Sequence, residues 1–178
     1  MKILVAEDEQ DIRTVYYMTF VERGHEVILT SDGEECLKVY CQDLPEHEKD
    51  QQHNRKTSPS YFDVVILDYK MPKKDGLQVA KEILELNPEQ RIIFASAYVV
   101  ETLTESIKEL KKVVELLQKP FSISALADIV ENKEAYEGFK ILMNTARDII
   151  GDFDNNPSSD QIKELFDGLR KVQKFRGF

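Results

Sequence analysis

The sequence predicts an α/β fold: a doubly wound, five-stranded parallel sheet followed by a C-terminal helical hairpin. Two observations carry this. Short apolar runs alternate along the chain with amphipathic stretches, the pattern of successive βαβ units. The runs also lack polar alternation, which suits strands covered by helices on both faces.

The strands are read at "ILVA" (3–6), "EVIL" (26–29), "VVIL" (64–67), "RIIFA" (91–95) and "VVELL" (113–117). Between them, Ile12, Val15, Tyr16, Thr19 and Phe20 recur at helical spacing and share a face. The same holds for Leu77, Ala80, Ile83 and Leu84, and for Val100, Leu103, Ile107 and Leu110. Gly33 and Glu34 open a further helix containing Leu37 and Tyr40. Asn87-Pro88 closes the helix before strand four, because the residue before a proline disfavours helical geometry. Strict alternation implies right-handed crossovers.

One connection, "CQDLPEHEKDQQHNRKTSPS" (41–60), exceeds the usual span of about two to six residues. It is polar and contains Pro45 and Pro59, so it is read as a surface insertion, with Glu46, His47, Glu48, Asp50 and His53 solvated. Cys36 and Cys41 fall on different parts of a helix surface and are read as reduced thiols of a cytoplasmic protein.

After residue 121 the character changes. "SISALADIV" makes a fifth helix, and Phe139, Leu142, Met143, Ala146, Ile149, Ile150 and Phe153 then form one wide apolar stripe. "GDFDNNPSSD" interrupts it. Ser158 and Gln161 resemble a capping box opening a last helix, with Ile162, Leu165, Phe166, Leu169 and Val172 on one face. The chain therefore divides into residues 1–131 and a helical extension, 132–178, too small to hold a core alone.

Composition narrows the function. The chain is 42% apolar and 32% charged with net charge −9, so it can bury a core and stay soluble. No window approaches the ~20 apolar residues of a membrane span, and "MKILVAEDE" turns acidic too early for a signal peptide. An acidic chain without a basic stripe argues against nucleic-acid binding as the main activity. Arg170, Lys171, Lys174 and Arg176 are read as a solvated helix end complementing its own dipole.

In an open parallel sheet, ligands bind at the carboxyl ends of the strands near the topological switch point. Here strand one ends in Glu7-Asp8, strand three in Asp68, strand four in Ser96, and Lys119-Pro120 follows strand five. Strands one and three are expected to be neighbours, so three carboxylates converge. Two carboxylates about 4 Å apart repel by roughly 4 kcal/mol at an effective dielectric near 20, which favours proton uptake or a hard cation. Oxygen-only ligands suit Mg²⁺ and leave positions for a phosphate. A metal would hold Asp68 ionised and aligned as a nucleophile. Lys119 would supply a cation to a transferred phosphoryl group, and the Ser96 hydroxyl a hydrogen bond.

With these marks, "ILVAEDE", "VVILDYKMPKKDG", "FASAY" and "LLQKPF", residues 1–131 closely resemble the phosphoacceptor receiver domains of two-component response regulators. The resemblance implies a flavodoxin-like sheet of order 2-1-3-4-5. It implies that Asp68 is phosphorylated by a histidine kinase, a phosphotransfer protein or a small acyl phosphate, with Mg²⁺. Asp8 would be a direct metal ligand, Glu7 a water-mediated one, and the Lys70 carbonyl a further ligand. Ser96 and Lys119 would contact the phosphoryl oxygens, and Gly76 follows the tight turn after "MPKKD".

Three departures stand out. Leu116 occupies the position, three before the lysine, where the family usually carries Tyr or Phe, with Tyr98 the nearest aromatic substitute. Lys70 and Tyr98 flank the path of attacking water, which predicts slow self-dephosphorylation. The 41–60 insertion is unusual for the family. The favoured reading is a signalling protein, not a conventional enzyme, whose phosphorylation switches contacts with a downstream protein or a second copy of itself. One alternative is a DNA-directed transcriptional regulator acting through the basic C-terminal helix. Another, an aspartate-nucleophile phosphatase, is disfavoured because Lys70 stands where a second Asp would act as acid/base.

Overall fold

A computed structural model describes residues 1–42, 62–97, 114–138 and 140–141. The chain forms two compact units, Met1–Ala127 and Asp128–Phe178. The strands are β1 (Lys2–Ala6), β2 (Glu26–Thr30), β3 (Val64–Leu67), β4 (Ile92–Ser96) and β5 (Glu115–Gln118). The helices are α1 (Gln10–Glu22), α2 (Gly33–Gln42), α3 (Gly76–Leu86) and α4 (Ile123–Glu131). In the second unit, residues 133–138 are helical.

The sheet runs β2-β1-β3-β4-β5 with every pair parallel, the doubly wound order expected. At its centre lies β3, Val-Val-Ile-Leu, all four side chains fully buried. β-Branched residues pack well on a pleated surface. Each such side chain contributes ~1.5–3 kcal/mol on burial, enough to hold a strand that ends in a charge.

Alternate strand residues face opposite sides of a sheet. On one side Leu4, Ala6, Val65, Leu67, Ile92 and Phe94 form a single cluster with Cys36, Leu37 and Tyr40 of α2 and Val79, Ala80 and Ile83 of α3. Ile3, Val5, Val64, Ile66 and Ile93 alternate to the other side, where right-handed crossovers place α1 with its buried Tyr16 and Phe20.

Several expectations shift. The buried face of α1 is narrower than its spacing implied: Val15 is 47% exposed. At 100° per residue, Val15 sits about 120° from the midline of Tyr16 and Phe20, so it turns to the flank. Strand five extends to Gln118 rather than ending at 117, and only β4 pairs with it, so its residues are mostly half-buried. Helix α2 continues through Cys41 and Gln42, two residues assigned above to the polar insertion. The rest of that insertion, the helix read at 100–110 and the hairpin residues beyond 141 lie outside the described residues. Cys36 is buried and Cys41 exposed, consistent with their separation on the helix. Among the described residues no helix is long and apolar enough to cross a membrane.

Candidate functional site

Strand register builds the site. Ala6 pairs with Leu67, so the next residues, Glu7 and Asp68, leave the sheet side by side. The Asp68 amide donates to the Ala6 carbonyl (2.9 Å), and the Glu7 amide to the Thr30 carbonyl (3.2 Å). On the other flank Ser96 pairs with Gln118, and the Lys119 amide donates to the Ser96 carbonyl at 2.7 Å. The Lys119–Pro120 peptide is cis.

Carboxylate oxygens of Glu7, Asp8 and Asp68 lie within 4.8 Å of one another. They differ in surroundings: Glu7 is buried, Asp8 exposed and Asp68 half-buried. Lys119 Nζ reaches two of them, at 2.7 Å from Glu7 Oε2 and 3.2 Å from Asp68 Oδ2. Ser96 is fully buried at the end of β4. Lys70 is exposed, two residues past Asp68 on the same loop.

The electrostatics follow from crowding. Burial pushes the Glu7 carboxyl up to about 7; the Lys119 hydrogen bond and charge oppose that, and the Asp68 charge adds to it. Burial would lower Lys119, but its hydrogen bond to Glu7 and the charges of Asp68 and Glu7 outweigh this and hold it above its usual range. With all groups ionised, three carboxylates and one ammonium leave two negative charges. An oxygen-only donor set of that charge fits a hard divalent cation. Glu7 Oε1, buried and without a hydrogen-bond partner among the described residues, is a free acceptor within it.

The surrounding loops hold this cluster in place. A Cβ on Gly76 would stand 2.2 Å from the Asp68 carbonyl oxygen, so only glycine permits α3 to start there. The Gly76 amide donates to the Tyr69 carbonyl (2.8 Å). Asp75 caps α3: its side chain accepts from the Gln78 amide at 2.8 Å, while the Gln78 side chain accepts from the Asp75 amide at 3.1 Å. Lys73 adopts a left-handed φ of 66°, and its ammonium pairs with Asp32 at 2.6 Å, tying this loop to the start of α2.

Sequence reasoning missed three of these partners. Arg13, one turn into α1, donates to the carbonyls of both Glu7 and Asp8, fixing the acidic loop by its backbone. No spacing rule marks such a cation. The Lys73–Asp32 pair joins residues 41 apart and is equally silent in sequence. The Asp75–Gln78 box was legible as an Asp-x-x-Gln opening an apolar-periodic run. Leu116, at the expected aromatic position, is half-buried and packs against the main core; Tyr98 lies outside the described residues.

Residues 3–131 match the family model of the response regulator receiver domain. Response regulator RR06 of Streptococcus pneumoniae is 34% identical over 126 residues, 71% of this chain and 49% of the relative. Sporulation initiation phosphotransferase F of Bacillus subtilis is 25% identical over 130 residues, 73% of this chain and 90% of that protein. The alkaline phosphatase synthesis transcriptional regulatory protein PhoP of B. subtilis is 33% identical, over 68% of this chain and 43% of its own length. The chain thus spans about half or less of the length of RR06 and PhoP. Among solved structures, a response regulator receiver domain protein of Clostridium thermocellum superposes with a TM-score of 0.59 at 27% identity, over 74% of this chain and 91% of that one. The Thermotoga maritima response regulator TrrA, solved in complex with Mg²⁺ and BeF, gives 0.56 at 30% identity, over 74% and 96%. The chain belongs to the response regulator receiver domain family of two-component signalling.

Proposed function

We propose that Asp68 is the phosphoacceptor of this receiver and that its phosphorylation switches protein–protein contacts. The observation that carries the reading is the cluster itself: three carboxylates within 4.8 Å, with Lys119 bonded to two of them. An Asp68 carboxylate oxygen attacks the phosphorus of a phosphohistidine on a histidine kinase or phosphotransfer protein. The P–N bond breaks as the O–P bond forms, giving an aspartyl phosphate, and the departing imidazole is protonated. Lys119 and the Ser96 hydroxyl then meet the phosphoryl oxygens. Glu7, Asp8, Asp68 and the Lys70 carbonyl would hold Mg²⁺. When bound, the ion neutralises the negative charge that gathers as a phosphoryl group approaches the carboxylates.

The active unit in this reading is residues 1–131, with 132–178 as an extension that packs on it or pairs two chains, in a cytoplasmic protein. With Leu116 half-buried against the core, the switch works through the loop at Ser96 and not through an aromatic at 116. Lys70 beside Asp68 favours slow loss of phosphate. The relatives named as transcriptional regulators keep a DNA-directed reading in view; it requires a steep salt dependence of DNA affinity. The test is chemical. Acetyl phosphate with Mg²⁺ should add phosphate to the wild-type chain, EDTA should abolish this, and Lys119→Met should slow it at least tenfold. Equal labelling with and without EDTA would remove the metal from the scheme.

A further inference from the structure

Among the described residues two buried side-chain polar atoms lack a hydrogen-bond partner: Glu7 Oε1 and the Tyr16 hydroxyl. One is an acceptor and the other a donor. Tyr16 lies on the sheet-facing side of α1 and is 3% exposed. It lines, together with Lys119, Asp11 and Phe121, a cavity of about 390 Å³. Lys119 in turn holds the other oxygen of Glu7 at 2.7 Å. Tyr16 therefore shares a cavity with the lysine that holds Glu7, while its hydroxyl and Glu7 Oε1 make no hydrogen bond to each other in this structure. Burial first, and then the charges of Glu7, Asp68 and Glu9, raise the Tyr16 hydroxyl far above its ordinary value, so the hydroxyl lies within the field of the carboxylates.

A phenol placed where a plain ring would fill the same space carries a desolvation penalty unless its O–H is used. The neighbouring acceptor with the same deficit is its natural partner. We infer that Tyr16 is a positioning residue: its hydroxyl donates to Glu7 Oε1 in the working site and holds that carboxylate in the orientation the divalent cation requires. The inference rests on the reading of Glu7 as part of the Mg²⁺ site. It also gives the site continuity. Lys119 is shared between Glu7 and Asp68, and once it turns to a phosphoryl group on Asp68, Tyr16 remains as a donor to Glu7. Partners of this kind, bound to a metal's ligands, orient those ligands and tune affinity.

Calorimetric titration of Mg²⁺ into four proteins tests it: wild type, Tyr16→Phe, Glu7→Gln and the double variant. Tyr16→Phe keeps the ring that lines the cavity and is expected to weaken Mg²⁺ binding about fivefold, the loss of one ordinary hydrogen bond. In the Glu7→Gln background the same substitution should change the dissociation constant less than twofold, because the group it acts through is altered. A role confined to packing would move melting temperatures and leave this cycle at zero. Tyr16→Met also lacks the hydroxyl, carries the same expected loss and serves if the Phe variant does not fold. Mg²⁺ affinity unchanged by Tyr16→Phe, or lost equally in both backgrounds, overturns the inference alone. A wild-type protein that binds no Mg²⁺ overturns the metal-site reading and this inference with it.

Discussion

With Glu7 in the proposed magnesium site, magnesium affinity should depend on pH in a range where ordinary carboxylates are already fully ionised. Its carboxyl stands at about 7 because burial disfavours the charged form more than Lys119 restores it. A cation needs the ionised form, so protons and Mg²⁺ compete for the same oxygens. With a value near 7, roughly nine-tenths of Glu7 is ionised at pH 8 and one-tenth at pH 6, which weakens Mg²⁺ binding about tenfold across that interval. Stability without metal moves in the opposite sense. Folding raises this carboxyl from 4.5 to about 7, so the folded chain binds the proton more tightly than the unfolded one. The stabilisation from protonated Glu7 is fully present below about pH 4.5 and lost as pH rises through about 7. Isothermal titration at pH 6, 7 and 8 and fixed ionic strength reads the first effect, and melting curves with and without Mg²⁺ read the second. Glu7→Gln should flatten both. A wild-type dissociation constant that is the same at pH 6 and pH 8 would refute the reasoning.

Three further outcomes are expected. Gly76→Ala drives a Cβ into the Asp68 carbonyl, so denaturant titration should show a loss of about 1–3 kcal/mol and acetyl phosphate labelling should slow with it. Ile83→Ala, deep in the α3 cluster and away from the carboxylates, should cost about 2–5 kcal/mol while leaving Mg²⁺ affinity within twofold of wild type. The Lys70→Asn, Tyr98→Ala double variant should lose its phosphoryl group faster than wild type; an unchanged decay rate would end the case for slow self-dephosphorylation.

Much of the site was legible because strand ends are where sequence and topology meet. The run Val64–Leu67 matched β3 residue for residue, since four apolar side chains cut off by Asp68 leave no other register for a strand covered on both faces. The order of the sheet then placed Glu7, Asp8, Asp68, Ser96 and Lys119 at one end. What escaped was set by tertiary geometry. Val15 follows the helical period, but the line of Tyr16 and Phe20 on the sheet turned it outward. The polar insertion is drawn from residue 41, yet α2 runs on through Cys41 and Gln42, its last turn anchored by Tyr40, which stacks on Phe62 and whose hydroxyl donates to Gln90 at 3.0 Å. Arg13 supports the acidic loop through two carbonyls, and backbone acceptors carry no sequence signature.

One side chain, Asp68, is proposed to receive the phosphoryl group. Native mass spectrometry of wild type and Asp68→Asn, each incubated with Mg²⁺ and acetyl phosphate, tests it directly and reads oligomeric state in the same spectrum. A single added phosphoryl group is expected on wild type and none on Asp68→Asn. Labelling of both proteins alike, or of neither, would contradict it.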